Sequence, residues 1–287
     1  SVELITNGTL LSKALSKRLI EAGLDLLWVS LDGARPESYV DVRLGAALPE
    51  VLANLEVFRE VRRQHDLSGY LIDYHLRPRL GIVFVAMKRN IADLPAVIRL
   101  GNRLGARRFL VTNVLPYTAE MQGEILYPRA LNEQIYRSCQ GGHALDIPQM
   151  DINAATWEVL YHLMLSNYPV RLAGADLGEE KDRCPFIDKG STAIRWDGAV
   201  SPCLPLLHDH ITYMNGYERS LRRYAVGNVN GQNVYDVWSA PEYLSFRERV
   251  QEFDFSPCTS CGGCNLLETN EEDCFGSPFP ACGGCLW

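Results

Sequence analysis

No apolar run in these 287 residues approaches the roughly 20 needed to cross a bilayer, and no basic-then-apolar leader opens the chain. A cytoplasmic protein is therefore expected. Positive charge is also short. The formal net charge is −7, with 28 Lys and Arg against 35 Asp and Glu, which argues against a nucleic-acid binder because phosphate contact wants a concentrated positive field. The basic runs ARR (106–108) and SLRR (220–223) sit among acidic neighbours and read as solvated faces. Internal repeats and low-complexity tracts are absent, and no cysteine precedes Cys139. The opening SVELITNG lacks an initiator Met and begins at once with a strand-like stretch, as expected of a piece cut from a longer chain.

What is present is ordinary globular composition, 47% apolar and 22% charged, in a chain long enough for one large domain or a large one plus a small one. The first 115 residues alternate strands with helices. Val2–Ile5, LLWVSL (26–31), LGIVFVAM (80–87) and RFLVTNV (108–114) read as buried strands. Between them, LLSKALSKRLIEAG places Leu11, Ala14, Leu15, Leu19 and Ala22 on one helical face and stops at Gly23. A second helix starts at Pro49, with Val51, Leu55 and Phe58 inward, and a third runs from about Asp93 to Leu104 before Gly105. Four strands with helical crossovers make a parallel α/β sheet, open or part of a barrel, whose function gathers at the strands' C-terminal ends. Those ends carry Thr6-Asn7-Gly8, Ser30-Leu31-Asp32-Gly33, Ala86-Met87-Lys88 and Thr112-Asn113-Val114, which turn chemistry alone also explains.

Further on, LDIPQMDIN (145–153) reads as another strand, and AATWEVLYHLMLSN puts Trp157, Leu160, Tyr161 and Met164 on one helical face. From Cys184 the character changes. STAIRWDGAVSPC alternates around Asp197-Gly198, a hairpin signal, and VYDVWSAPEYLSFRERV follows with a short amphipathic helix. The boundary falls between Ala173 and Lys181, giving domains 1–175 and 176–287.

Eight of the nine cysteines lie in the second domain: Cys184, Cys203, Cys258, Cys261, Cys264, Cys274, Cys282 and Cys285. A reducing compartment disfavours disulfides, and eight thiolates make two four-thiolate sites, zinc or 4Fe-4S. Prolines beside the cysteines and the pairs Gly262-Gly263 and Gly283-Gly284 suit the close approach of an inorganic core. Two zinc knuckles from 258/261 and 282/285 would leave the other four unexplained. Cys139 reads as a lone thiol, and His208 and His210 as a solvated loop.

LITNGTLL, GLDLLWVSLDG, Arg43 and GIVFVAMKRN…LGARRFLVTNVLP resemble the middle and later strands of a radical S-adenosylmethionine (SAM) enzyme barrel. The C-x13-G-x4-C run of Cys184, Gly198 and Cys203, with the dense tail, is similar to the SPASM extension. VFVAMKRN, VTNVLPYTAEM and DCFGSPFPACGGCLW look most like the radical SAM maturases associated with tungsten-cofactor oxidoreductases. The resemblance implies a partial (β/α)6 TIM-like barrel, later strands only, over residues 1–175, and a SPASM domain over 176–287. It implies SAM contacts at Ser30 and Arg43, with Asn7, Asp32 and Leu115 at the pocket rim, and all eight late cysteines as ligands of two auxiliary 4Fe-4S clusters. In the implied split, Cys184, Cys203 and one late cysteine hold the first cluster, while Cys258, Cys261, Cys264 and another late one hold the second. A third, catalytic cluster would sit on a Cys-x3-Cys-x2-Cys loop that these residues do not contain, so the chain alone is expected to be inactive. The implied activity is a 5′-deoxyadenosyl radical acting on a peptide or cofactor precursor. The implied partners are a peptide or protein substrate, such as a tungsten-dependent oxidoreductase, and a ferredoxin or flavodoxin reductant. A zinc-binding α/β protein without redox chemistry, or a ferredoxin-like carrier, are the alternatives.

Overall fold

The structure, a computed structural model, describes residues 1–38, 48–65, 76–127, 150–151, 153–165, 170–172, 175–176, 184–214, 216–252 and 264–282. Arg43, Cys139, Cys258, Cys261, Cys285 and most of the strand expected at 145–153 lie outside the described residues. Two compact units result: residues 1–114 with 152–179, and residues 115–151 with 180–287. Among the described residues no helix is long and apolar enough to cross a membrane.

In the first unit, β1 (Glu3–Thr6), β2 (Leu26–Ser30), β3 (Arg79–Ala86), β4 (Arg108–Asn113) and β5 (Val170–Leu172) are neighbours in that order and run parallel. A short β6 (Ala175–Asp176) turns back antiparallel to β5. The helices α1 (Lys13–Glu21), α2 (Leu48–His65) and α3 (Leu94–Arg103) connect the first four strands, and α4 (Trp157–Leu165) precedes β5. Gly23 and Gly105 follow α1 and α3 at φ +74° and +84°, the left-handed stops that the sequence announces.

Strand register sorts side chains between two faces. One face brings Val29, Ile82 and Phe109 side by side, all buried. The other carries Trp28 and Ser30 on β2, Val83 and Val85 on β3, and Leu110 and Thr112 on β4. Leu26, Trp28 and Val83 form a small apolar cluster on it, with Leu110 against them. Gly81 stands opposite Trp28, and a Cβ there would come within 2.3 Å of the indole, so only glycine lets the ring lie flat on β3. The indole Nε1 donates to Glu3 Oε2 at 2.8 Å, tying β1 to β2.

Two helices present different faces from those expected. On α1, Ala14 and Ala22 are exposed and Ser16 is the buried residue, its hydroxyl donating back to Ser12 O at 2.8 Å. On α4, Trp157 and Tyr161 do share a face, but it is the exposed one, where their rings stack 6.1 Å apart; Val159 is the buried residue. This helix is apolar nearly all round, so periodicity could not choose its inner side.

In the second unit, α5 (Pro185–Asp188) follows Cys184 directly; β7 (Ala193–Ile194) and β8 (Ala199–Ser201) form the expected hairpin. The antiparallel pair β9 (His210–Met214) and β10 (Tyr217–Leu221) comes next, then β11 (Gly227–Asn228), which joins β8 to complete a three-stranded sheet. The one helix expected over 234–250 is two, α6 (Val234–Trp238) and α7 (Pro241–Gln251), separated by Ser239 and Ala240.

The turn after β3 is fixed by a residue that sequence reasoning passed over. Asn90, fully buried, donates from Nδ2 to Asp32 O at 3.1 Å and Val85 O at 2.9 Å, and its Oδ1 accepts from Met87 N at 2.8 Å. Leaving such backbone groups unpaired in the interior costs about 1–3 kcal/mol. Urea unfolding of Asn90→Ala is expected to show a stability loss of about that size, with the C-terminal ends of β2 and β3 losing amide-exchange protection first.

Candidate metal centre

Five of the eight late cysteines are described, Cys184, Cys203, Cys264, Cys274 and Cys282, all as thiols. Three of them pack against one apolar nucleus. Ile187 of α5, Leu206, and Tyr243, Phe246 and Val250 of α7 form a buried apolar nucleus, and Cys184, Cys203 and Cys282 all pack against it. Tyr224, Val226 and Trp238 close over the same nucleus. The packing follows from the sequence of α7, whose buried Tyr243, Phe246, Arg247 and Val250 recur at helical spacing and give it a single inner face.

Each cysteine is delivered by a different device. Cys184 is the N-cap residue of α5, with Pro185 opening the helix behind it. Cys203 follows β8 and is steadied by Ser201, whose hydroxyl donates to Cys203 O at 3.2 Å. The hairpin that carries β8 turns at Gly198, with φ +83°. A Cβ there would also lie 2.6 Å from Asn230 Nδ2 and 2.7 Å from Asn228 Oδ1. Those two amides donate to Asp197 O at 2.9 and 3.2 Å, which explains why the C-x13-G-x4-C run keeps glycine at this point. Beside it, Arg195 grips the Asp197 carboxylate through two hydrogen bonds of 2.8 and 2.6 Å, and this pairing holds the Asp197 pKa down to about 2.

Cys282 arrives on the tail, which is pinned to β10 rather than hanging free. Asn270 Oδ1 accepts from Arg222 N and its Nδ2 donates to Arg222 O, both at 3.0 Å, while its own carbonyl accepts from Ala281 N at 2.8 Å. The buried Arg219 donates from Nε to Leu267 O at 2.9 Å, and Arg222 pairs with Glu271 at 2.5 Å while its guanidinium lies over Phe279. The SLRR run is therefore not merely a solvated face; it is the clamp on the cysteine tail. Between the clamp and Cys282, Asp273 Oδ1 accepts from Phe275 N and Ser277 N, closing a loop that holds Cys274 exposed. Cys264 is exposed as well, so the described thiols sort into a half-buried trio and an exposed pair.

Among the described residues no three His, Cys, Asp or Glu side chains stand close enough to hold a single metal ion, so the trio is set wider than a one-ion cage. All-thiol donors in an apolar surround fit an iron–sulfur core, which is larger and softer. His208 is exposed, and the half-buried His210 meets the ring of Tyr117 edge-on at 5.7 Å.

Of the residues named for the SAM pocket, Ser30 ends β2 on the sheet face that also carries Val85 and Thr112, and it is buried. Asn7 is exposed, and its side chain accepts from Thr9 N and Thr9 Oγ1. Asp32 is buried with Oδ1 accepting from Val85 N at 2.7 Å, so its carboxylate splices β2 to β3. Leu115 is half-buried, directly after Val114, whose N–H donates to Ala86 O.

The chain thus contains a parallel α/β sheet with polar strand ends and a separate unit in which cysteines pack on an apolar nucleus. Residues 184–265 match the iron–sulfur cluster-binding domain SPASM. Over 98% of its length the chain is 28% identical to the tungsten-containing aldehyde ferredoxin oxidoreductase cofactor-modifying protein of Pyrococcus furiosus, covering 72% of that protein. A stretch covering 40% of the chain is 31% identical to an AdoMet-dependent heme synthase of Methanosarcina barkeri. Among solved structures the fold is similar to Streptococcus suis SuiB bound to S-adenosylmethionine, with a TM-score of 0.51 at 15% identity, and to anSMEcpe with bound AdoMet, at 0.50 and 14%. The chain spans 55% and 62% of those two proteins, less than two thirds of either.

Two outcomes are expected at the hairpin. Gly198→Ala loses about 1–3 kcal/mol in thermal or urea unfolding, because a side chain is forced into left-handed backbone. The Asp197 pKa lies below its unfolded value, so the stability contributed by its pair with Arg195 is complete above about pH 4 and fades as pH falls to about 2. Acid titration of Asp197→Asn is therefore expected to show a shallower loss of stability in that window than the unmodified chain.

Proposed function

We propose that this chain is the later barrel and auxiliary-cluster portion of a radical SAM/SPASM maturase acting on a peptide or cofactor precursor. The observation that carries the reading is the packing of Cys184 and Cys203, inside the region matched by an iron–sulfur domain, and of Cys282, beyond it, on one apolar nucleus. Cys184, Cys203 and Cys282 would hold the first auxiliary cluster, completed by a thiol from outside the described residues. Cys264 and Cys274 would join Cys258, Cys261 or Cys285 around a second. Such clusters, when bound, supply a one-electron site whose potential follows thiolate count, burial and hydrogen bonding.

The remaining roles belong to this chain's own residues. Ser30, Arg43, Asn7 and Leu115 would line the SAM side of the strand ends, with Asp32 and Asn90 holding the ends of β2 and β3 in place. Trp28, Val83 and Leu110 would form the dry floor beneath, excluding water from a reactive intermediate. The substrate class follows two named likenesses: the Pyrococcus relative modifies a tungsten oxidoreductase cofactor, and SuiB has been captured with a precursor peptide. Because these 287 residues contain no Cys-x3-Cys-x2-Cys triplet, cleavage of SAM would need a segment beyond them, and electrons would come from a ferredoxin- or flavodoxin-type donor.

Anaerobic reconstitution with iron and sulfide tests this directly. The chain is expected to take up two 4Fe-4S clusters and turn brown, and Cys184→Ser, Cys203→Ser and Cys282→Ser are each expected to lose about half of the iron, as one cluster of two. Colourless protein holding zinc would favour the purely structural alternative.

A further inference from the structure

Arg247 of α7 is a buried cation, 8% exposed, and among the described residues no carboxylate pairs with it. The carboxylates nearest in sequence, Asp236 on α6, Glu242 and Glu248 on α7 and Glu252 at its end, are all exposed to solvent. The guanidinium lies instead 3.9 Å from the ring centroid of Trp238 and 4.5 Å from that of Tyr243, and Nη1 donates to the carbonyl of Trp238, the last residue of α6, at 2.7 Å. These contacts explain where the side chain sits. They leave its charge uncompensated, because two aromatic faces and one carbonyl return only part of what a guanidinium loses on leaving water. A neutral amide could donate to the same carbonyl without that cost. The surroundings of the charge are the second observation. Of the two rings it stacks on, Tyr243 belongs to the apolar nucleus that receives Cys184, Cys203 and Cys282, and Trp238 packs against it. Arg247 and Cys203 both bear electrostatically on the Tyr243 hydroxyl, so the cation and one of the thiols share an immediate neighbour.

We infer that Arg247 is the built-in counter-charge of the first auxiliary cluster, favouring its uptake and raising its reduction potential. The inference rests on the cluster reading proposed above. Four thiolates around an iron–sulfur core leave it net negative, and one electron from the donor adds a further negative charge. A fixed cation nearby therefore stabilises the reduced state more than the oxidised one. No contact with sulfur is needed, since the attraction acts through an interior that screens poorly. A unit charge ~10 Å away, at the effective dielectric of a protein, shifts a one-electron equilibrium by about tenfold, which is about 59 mV. Stacking between two rings keeps the cation from swinging out to solvent, where water and salt would screen it. Arg247 is thus a tuning residue and not a ligand.

The test compares Arg247→Gln, which removes the charge, with Arg247→Lys, which keeps the charge and loses the planar fork, both in the full chain reconstituted anaerobically with iron and sulfide. Three readouts are taken: iron content, the midpoint potential of each cluster by EPR-monitored redox titration, and the fold of the iron-free chain by circular dichroism. The Gln variant is expected to fold without iron, and one of its two clusters to be lost or to show a midpoint more negative by about 59 mV, the tenfold shift of a one-electron couple. The Lys variant is expected to keep both clusters at the midpoints of the unmodified chain. A Lys variant that behaves like the Gln variant overturns the inference, because the shape of the stack and not its charge would then be at work. Full iron with unmoved midpoints in the Gln variant, or a shift of both clusters alike, overturns it while leaving the cluster reading intact. An iron-free Gln chain that fails to fold overturns it too, since the role of Arg247 would then be structural. Failure of the unmodified chain to take up iron overturns the cluster reading itself.

Discussion

The packing of the second unit centres on the inner face of one eleven-residue helix. α7 presents Tyr243, Phe246 and Val250 as the nucleus onto which Cys184, Cys203 and Cys282 are packed, thiols that are nearly a hundred residues apart at the extremes. Three devices among the described residues bring cysteines to that surface: the Pro185 helix start, the Gly198 hairpin, and the Arg219 and Arg222 clamp on the tail. Apolar packing is a sound way to prepare such a site, since thiols are tolerated in a hydrophobic surround and a low dielectric strengthens any hydrogen bond later made to a thiolate.

The first unit applies a parallel logic with different means. Its strand ends are set by buried polar side chains rather than by apolar contact: Asp32 and Asn90 bind the ends of β2 and β3 together, and Asp93 accepts from Ala34 N and Arg35 in the loop beyond β2. Ser30 and Thr112 lie on the same face of the strands that these groups hold in register. Rigid strand ends beneath variable loops are what the C-terminal side of a parallel α/β sheet offers to chemistry.

Much of this fold was legible in the sequence because β2 and β3 are buried along nearly their whole length and so read as continuous apolar runs; they and β4 fall within a residue or two of their expected bounds, whereas β1, expected as a buried strand and first in the sheet order, is exposed at Leu4 and Ile5. The hairpin at Asp197-Gly198 was legible from a different local signal, alternation around an Asp-Gly turn. What was not legible depends on tertiary routing. α4 carries Trp157, Val159, Leu160, Tyr161 and Leu165, so its inner side is set by neighbours, and the aromatic pair ended outside. Asn90 carried no sequence signal of its own, yet its three hydrogen bonds hold the strand ends. The cysteines announced themselves by number and by Pro and Gly punctuation, but no spacing rule says that Cys282, rather than Cys264 or Cys274, joins Cys184 and Cys203. That choice is made by the clamp between β10 and the tail, whose basic residues resembled ordinary surface charge.

The most direct test of the account is a crystal of the anaerobically iron-loaded chain measured on either side of the iron absorption edge. The account predicts a compact iron peak bounded by the sulfurs of Cys184, Cys203 and Cys282 against α7. Iron bound elsewhere with those three thiols unligated, or a signal at the zinc edge in its place, would contradict it.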